Sequence, residues 1–99
     1  MNFDSMSSYQ EWAFTRLNEE SKNKENLFTG LSAEVGELMS ERMREIRPDR
    51  TPLGNNEIAS ELGDILFYVS TIAHMYDWSL DDIAEMNYIK LNSRKMKTS

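Results

Sequence analysis

Apolar residues recur along this chain at intervals of three and four and nowhere alternate, which is the period of a helix and not of a strand. A first helix is expected to begin after Ser8 as its N-cap. Its stripe of Trp12 and Leu17, joined by Tyr9 and Ala13, fades near Asn18. Ser21 to Asn26 is polar and charged and reads as a loop. A second helix is expected from Leu27 to Ile46, where Leu27, Leu31, Val35, Leu38, Met39, Met43 and Ile46 repeat at helical spacing. The Pro-, Gly- and Asn-rich segment from Pro48 to Asn55 stops it. A third helix, from Glu57 to Tyr76, carries the widest apolar face (Ile58, Leu62, Ile65, Leu66, Val69, Ile72, Ala73) and should be the most buried. Asp77-Trp78 makes a tight connection. Ser79-Leu80-Asp81-Asp82 then resembles a capping box, opening a fourth helix with Ile83, Met86 and Leu91 that frays from Lys95 onward. The fold expected is all-α, a compact bundle of about four helices in a single domain over residues 1–99, with its core at about 9–94.

Charge narrows the function. The formal net charge is −6 at pH 7. A duplex DNA or RNA binder needs the opposite sign to neutralise phosphates, so no nucleic-acid polymer is expected as a partner. There is no cysteine, which excludes disulfides, thiolate metal sites and cysteine nucleophiles. The longest mostly apolar run, Ile65 to Tyr76, is interrupted by Ser70, Thr71 and His74 and is too short to span a bilayer. Asp4 and the lack of a basic stretch argue against a signal peptide. A cytoplasmic protein without a membrane partner is expected. The charge is also uneven: between Thr51 and Ile89 there is no Lys or Arg, whereas Lys90, Arg94, Lys95 and Lys97 follow close together.

The acids form a pattern. Glu34-Val-Gly-Glu37 lies on the second helix and Glu61-Leu-Gly-Asp64 on the third, each an acidic pair at i, i+3 on one helical face. Like charges so placed cost an isolated helix about 0.2–0.5 kcal/mol. The bracketed Gly36 and Gly63 each cost about 1 kcal/mol relative to alanine. Helix stability alone selects neither feature, and the pattern occurs twice. Single E-x-x-E pairs are common on solvated faces. Two glycine-bracketed pairs on adjacent helices suggest instead that the helices meet at the glycines and that the carboxylates converge. Such a cluster repels itself unless it is filled by a hard divalent cation, for which oxygen ligands are suited.

The stretches Leu31-Ser-Ala-Glu-Val-Gly-Glu-Leu38 and Glu57-Ile-Ala-Ser-Glu-Leu-Gly-Asp-Ile-Leu-Phe-Tyr68 resemble the MazG family of all-α nucleoside triphosphate pyrophosphohydrolases, whose hallmark is E-x-x-E, a spacer, then E-x-x-D. Asn87-Tyr-Ile-Lys-Leu-Asn-Ser-Arg94 is similar to the family's N-x-x-K-L-x-x-R signature. The resemblance implies Mg²⁺-dependent hydrolysis of a (deoxy)nucleoside triphosphate to the monophosphate and pyrophosphate, with Mn²⁺ as a substitute metal. Carried over, Glu34, Glu37, Glu61 and Asp64 are metal ligands, and Glu37 is the carboxylate chosen to orient or deprotonate the attacking water. Asn87, Lys90 and Arg94 then bind phosphate oxygens from one helical face. Their alternative is a cationic helix end complementing the macrodipole.

The base pocket is less marked. Phe28, Tyr68 and Trp78 read as core, and Trp12, Gln10 and Arg16 on the first helix are the open candidates for contact with a base. His74 reads as a surface or interface residue, and the seven methionines as core or interface filler. The small size, the broad apolar face of the third helix and the family resemblance together predict a homo-oligomer, a tetramer ahead of a dimer. Two other functions fit the same residues. One is a related pyrophosphohydrolase acting on dCTP, dUTP or a phosphoribosyl-nucleotide. The other is a non-catalytic helical oligomerisation module.

Overall fold

The computed structural model describes residues 3–47 and 55–98. Four helices run in the order α1 (Met6–Thr15), α2 (Lys24–Ile46), α3 (Asn55–Met75) and α4 (Leu80–Thr98), with a short 3-10 turn at Glu19–Ser21. No strand is present among the described residues, in agreement with the expected all-α class. The connection expected at Pro48–Asn55 lies, except for Asn55, outside the described residues. None of these helices is long and apolar enough to cross a membrane.

Side-chain caps set the starts of α1, α2 and α4, and α1, α2 and α3 all begin earlier than the apolar periodicity suggests. The N-cap of α1 is Ser5, not Ser8. Ser8 is the third residue of a capping box in which Ser5 Oγ accepts from the Ser8 amide and Ser8 Oγ from the Ser5 amide, each at 3.1 Å. Asn23 caps α2 by accepting from the Asn26 amide at 2.8 Å, so three residues read as loop join the helix. Ser79 caps α4 as expected, accepting from the Asp82 amide at 3.0 Å. Between α3 and α4 the chain turns in a Schellman motif. Asp77 adopts the left-handed φ of 62°, the Asp77 amide bonds to the His74 carbonyl, and the Trp78 amide bonds to Ala73 at 2.9 Å.

α2 and α3 pack antiparallel: residue 30 meets 68, residue 34 meets 61 and 64, and residue 41 meets 61. The close approach falls at Gly30, where an added Cβ would overlap the Tyr68 ring. Gly36 and Gly63 face open space, so they are not the points of contact the sequence suggested. α1 lies parallel to α3, with Gln10 at Ser70 and the Phe14 ring stacked on His74 at 3.7 Å. Gln10 is 4% exposed and ties three elements together. Its Nε2 donates to the Ser70 carbonyl at 3.1 Å and to the Trp78 carbonyl at 2.9 Å, and its Oε1 accepts from the Leu80 amide at 3.1 Å. Ser70 and Thr71 are buried in α3 because their hydroxyls donate to the carbonyls one turn back, Leu66 and Phe67.

α4 is anchored at its first turn, where Ser7 Oγ donates to Asp81 at 2.7 Å, and its main packing is on α1. Its remaining turns stand off the α2–α3 pair. One copy is therefore more open than the expected compact bundle: its radius of gyration is 16.3 Å, against about 13 Å for a compact domain of this length. Phe28 and Trp78, expected in the core, are exposed, as are Met6, Met39, Met43 and Met86.

Three substitutions test this packing. Gly30→Ala forces the Tyr68 ring aside and should cost about 1–3 kcal/mol in urea unfolding, as overpacking does. Gly36→Ala, in open space, should gain about 0.5–1 kcal/mol; a loss there would reveal a second surface seated on α2. Gln10→Ala leaves the buried Leu80 amide without its acceptor and should cost about 1–3 kcal/mol by the same measurement.

Candidate metal centre

The antiparallel register brings the carboxylates together. Oxygens of Glu34, Glu61 and Asp64 lie within 4.8 Å of one another, and so do oxygens of Glu37, Glu41 and Glu61. The two triads share Glu61. The E-x-x-E and E-x-x-D residues thus converge, although the helices touch at Gly30 and not at the bracketed glycines. Glu41 was not anticipated from the sequence. Its signal was available, since it follows Glu37 at i+4 and Glu34 at i+7 and so continues the same face by another turn.

The electrostatics are those of crowded acids. The Glu61 carboxyl is pushed from 4.5 up to about 7 by burial first, then by a hydrogen bond shared with Glu34 and by the charges of Glu41, Glu34 and Asp64. The Oε2 atoms of Glu61 and Glu41 are closed to solvent and accept no hydrogen bond. An all-carboxylate donor set with orphaned oxygens is chemically suited to a hard divalent cation such as Mg²⁺, and holds none of the thiolate or imidazole donors that softer metals favour.

Tyr9 brings α1 to this centre. Burial, and then the negative charge of Asp64, hold its hydroxyl above the ordinary tyrosine range. The Tyr9 ring belongs to an aromatic group with Phe3 at 5.3 Å and Trp12 at 5.9 Å, so Trp12 lies one ring away from the residue that senses Asp64. Gln10, expected as an open base contact, is instead buried, with its amide fully engaged between helices. Arg16 caps the far end of α1, about 10 Å along the axis from Tyr9.

Asn87 and Lys90 lie together on α4, in a groove of about 350 Å³ that also takes in Trp78, Ile83 and Met86. Arg94 continues the same helix one turn beyond Lys90. The main packing of α4 is on α1. The His74 ring stacks on Phe14, about 15 Å along α3 from Asp64.

The family model of the MazG nucleotide pyrophosphohydrolase domain matches residues 22–98. That range includes all five clustered acids and the whole of α4, and leaves α1 outside. The gene 37 protein of Mycobacterium phage L5 is 33% identical over 70 residues, which is 67% of this chain and 60% of that protein. The chain therefore spans about 60% of the length of this curated relative. No solved structure matches it.

The raised Glu61 carboxyl has a measurable consequence. The folded protein holds this proton between pH 4.5 and about 7 while the unfolded chain releases it. The stabilisation is complete below pH 4.5 and is lost as pH rises through 7. In EDTA, the melting temperature should fall from pH 5 to pH 8, and Glu61→Gln should flatten that fall. An unchanged slope in the variant would refute the assignment.

Proposed function

Because the chain belongs to the MazG nucleotide pyrophosphohydrolase family, we propose that it hydrolyses a (deoxy)nucleoside triphosphate between the α and β phosphorus atoms. Water adds to phosphorus, the bridging P–O bond breaks, and monophosphate and pyrophosphate leave. The observation that carries this reading is the convergence of Glu34, Glu37, Glu61 and Asp64 across the α2–α3 contact. These four are the residues that would hold Mg²⁺, or Mn²⁺ in its place. When bound, the metal supplies positive charge against the negative charge that develops on the phosphates.

The chain's own groups supply the rest. Glu37 is the more exposed carboxylate on α2 and is our choice to orient the attacking water and take its proton. Asn87, Lys90 and Arg94 bind phosphate oxygens, two by charge and one by its amide. Trp12, with Phe3 and Tyr9 beside it, offers an aromatic platform at the edge of the centre on which a base can stack.

We further propose a homo-oligomer, with a tetramer ahead of a dimer, in which α4 of one copy approaches the carboxylates of another. Three features support it. The middle of α4 carries exposed apolar side chains, Met86 at 69% and Tyr88 at 68%. The α4 cations complement the acids of α2 and α3 in sign. A second apolar surface, a groove of about 540 Å³ lined by Leu38, Met39, Ile58 and Leu62, lies between α2 and α3. Two separate apolar surfaces are what an assembly with two kinds of interface needs.

A pyrophosphate-release panel over common and modified (d)NTPs, with Mg²⁺ and without it, tests the activity. Metal-dependent release of pyrophosphate is expected, and Glu37→Gln should lower kcat by about 10²–10⁴-fold with helical content unchanged. Orthophosphate as the product would overturn the α–β assignment. No turnover, with Glu37→Gln and Asp64→Asn neutral or stabilising and a melting temperature indifferent to Mg²⁺, would favour a non-catalytic helical module.

A further inference from the structure

The centre contains a carboxylate that the E-x-x-E and E-x-x-D pairs do not include. Glu41 has an oxygen within 4.8 Å of oxygens on Glu37 and Glu61, and its Oε2 is shut off from solvent with nothing donating to it. That arrangement is unfavourable for a glutamate with alternatives, because a desolvated carboxylate oxygen without a donor loses its hydration for no return. A cation is at hand in sequence, yet Arg42 pairs with Glu45 at 2.9 Å. Glu41 is held inward, among like charges, while its neighbours in sequence settle their charges at the surface.

We propose that Glu41 is a cation-holding residue of this centre, binding a divalent ion together with Glu37 and Glu61 on the Glu37 side of Glu61. The inference rests on reading the cluster as a metal centre and adds to it a residue that the motif lacks. Oxygens around one Mg²⁺ at 2.0–2.1 Å stand roughly 3–4 Å apart, so the Glu37–Glu41–Glu61 triad closes on an ion by small side-chain rotations. The other triad, Glu34, Glu61 and Asp64, shares only Glu61 with it. Loss of Glu41 therefore weakens one side of the centre and leaves the other intact.

The test is direct binding of Mn²⁺ to the full chain without nucleotide, by calorimetry and by electron paramagnetic resonance of the free ion. The proteins compared are wild type, Glu41→Gln, Glu41→Asp, Asp64→Asn and, as a control on the first turn of α2, Glu25→Gln. Glu41→Gln should lose one Mn²⁺ per chain or bind it about 10–100-fold more weakly. Glu25→Gln should match wild type. Glu41→Asp keeps the charge on a shorter side chain and should fall between, and it carries the test should the glutamine variant lose its circular-dichroism signature. Unchanged number and affinity in Glu41→Gln, with binding reduced in Asp64→Asn, overturns this inference alone. No Mn²⁺ binding by wild type overturns the metal centre itself, and this inference with it.

Discussion

Repulsion among Glu34, Glu37, Glu41, Glu61 and Asp64 is the constraint around which the α2–α3 pair is built. Carboxylates this close oppose the very contact that gathers them, so the contact must be secured elsewhere. One end is held at Gly30, where the missing Cβ lets the Tyr68 ring sit against the α2 backbone. Protonation relieves part of the remaining strain, since the proton on Glu61 near neutral pH removes one of the charges and bridges to Glu34. A divalent cation would remove the repulsion more completely. The cluster is thus held in an unfavourable charge state that a bound cation would relieve.

The placement of the other helices depends on a single buried amide. Gln10 links α1 to α3 at Ser70 and to the α3–α4 turn at Trp78 and Leu80. The left-handed Asp77 sets the direction in which the chain leaves α3, and Gln10 locks the residues that follow. The helix of Gln10, α1, also carries Tyr9 one residue earlier, and the Tyr9 hydroxyl feels the charge of Asp64. Position of the aromatic group and the start of α4 are consequently coupled through the Gln10 side chain.

Much of this was legible in the sequence, and what was not has physical causes. Helix number and class followed from periodicity, because each apolar stripe is long. Helix starts were less legible, because Ser5 and Asn23 act through side-chain hydrogen bonds that leave no apolar trace. The convergence of Glu34, Glu37, Glu61 and Asp64 was readable from i, i+3 spacing, whereas its cause was not. A glycine marks a possible close approach, but only the neighbouring helix decides which glycine is used, and it is Gly30. Glu41 stands among other charged residues, Arg42, Arg44 and Glu45, and a mixed charge run of this kind is ordinarily a solvated face. Gln10 looked like an open polar contact, because a sequence does not reveal that three backbone groups from distant segments meet at one amide.

An acidic chain that handles a polyanion would be contradictory if its charges were spread evenly. They are not. The acids converge where α2 meets α3, and the basic residues Lys90 and Arg94 fall on α4, the helix least committed to the rest of its own copy. On the function proposed here, a triphosphate needs both sets at once, the carboxylates through a metal and the cations directly. α4 packs mainly on α1, and its Met86, Ile89 and Leu91 are exposed. Charge complementarity and apolar burial then point the same way, toward a neighbouring copy. A substrate bound at such a junction would be gripped by two chains, so assembly and catalysis would rise and fall together with chain concentration.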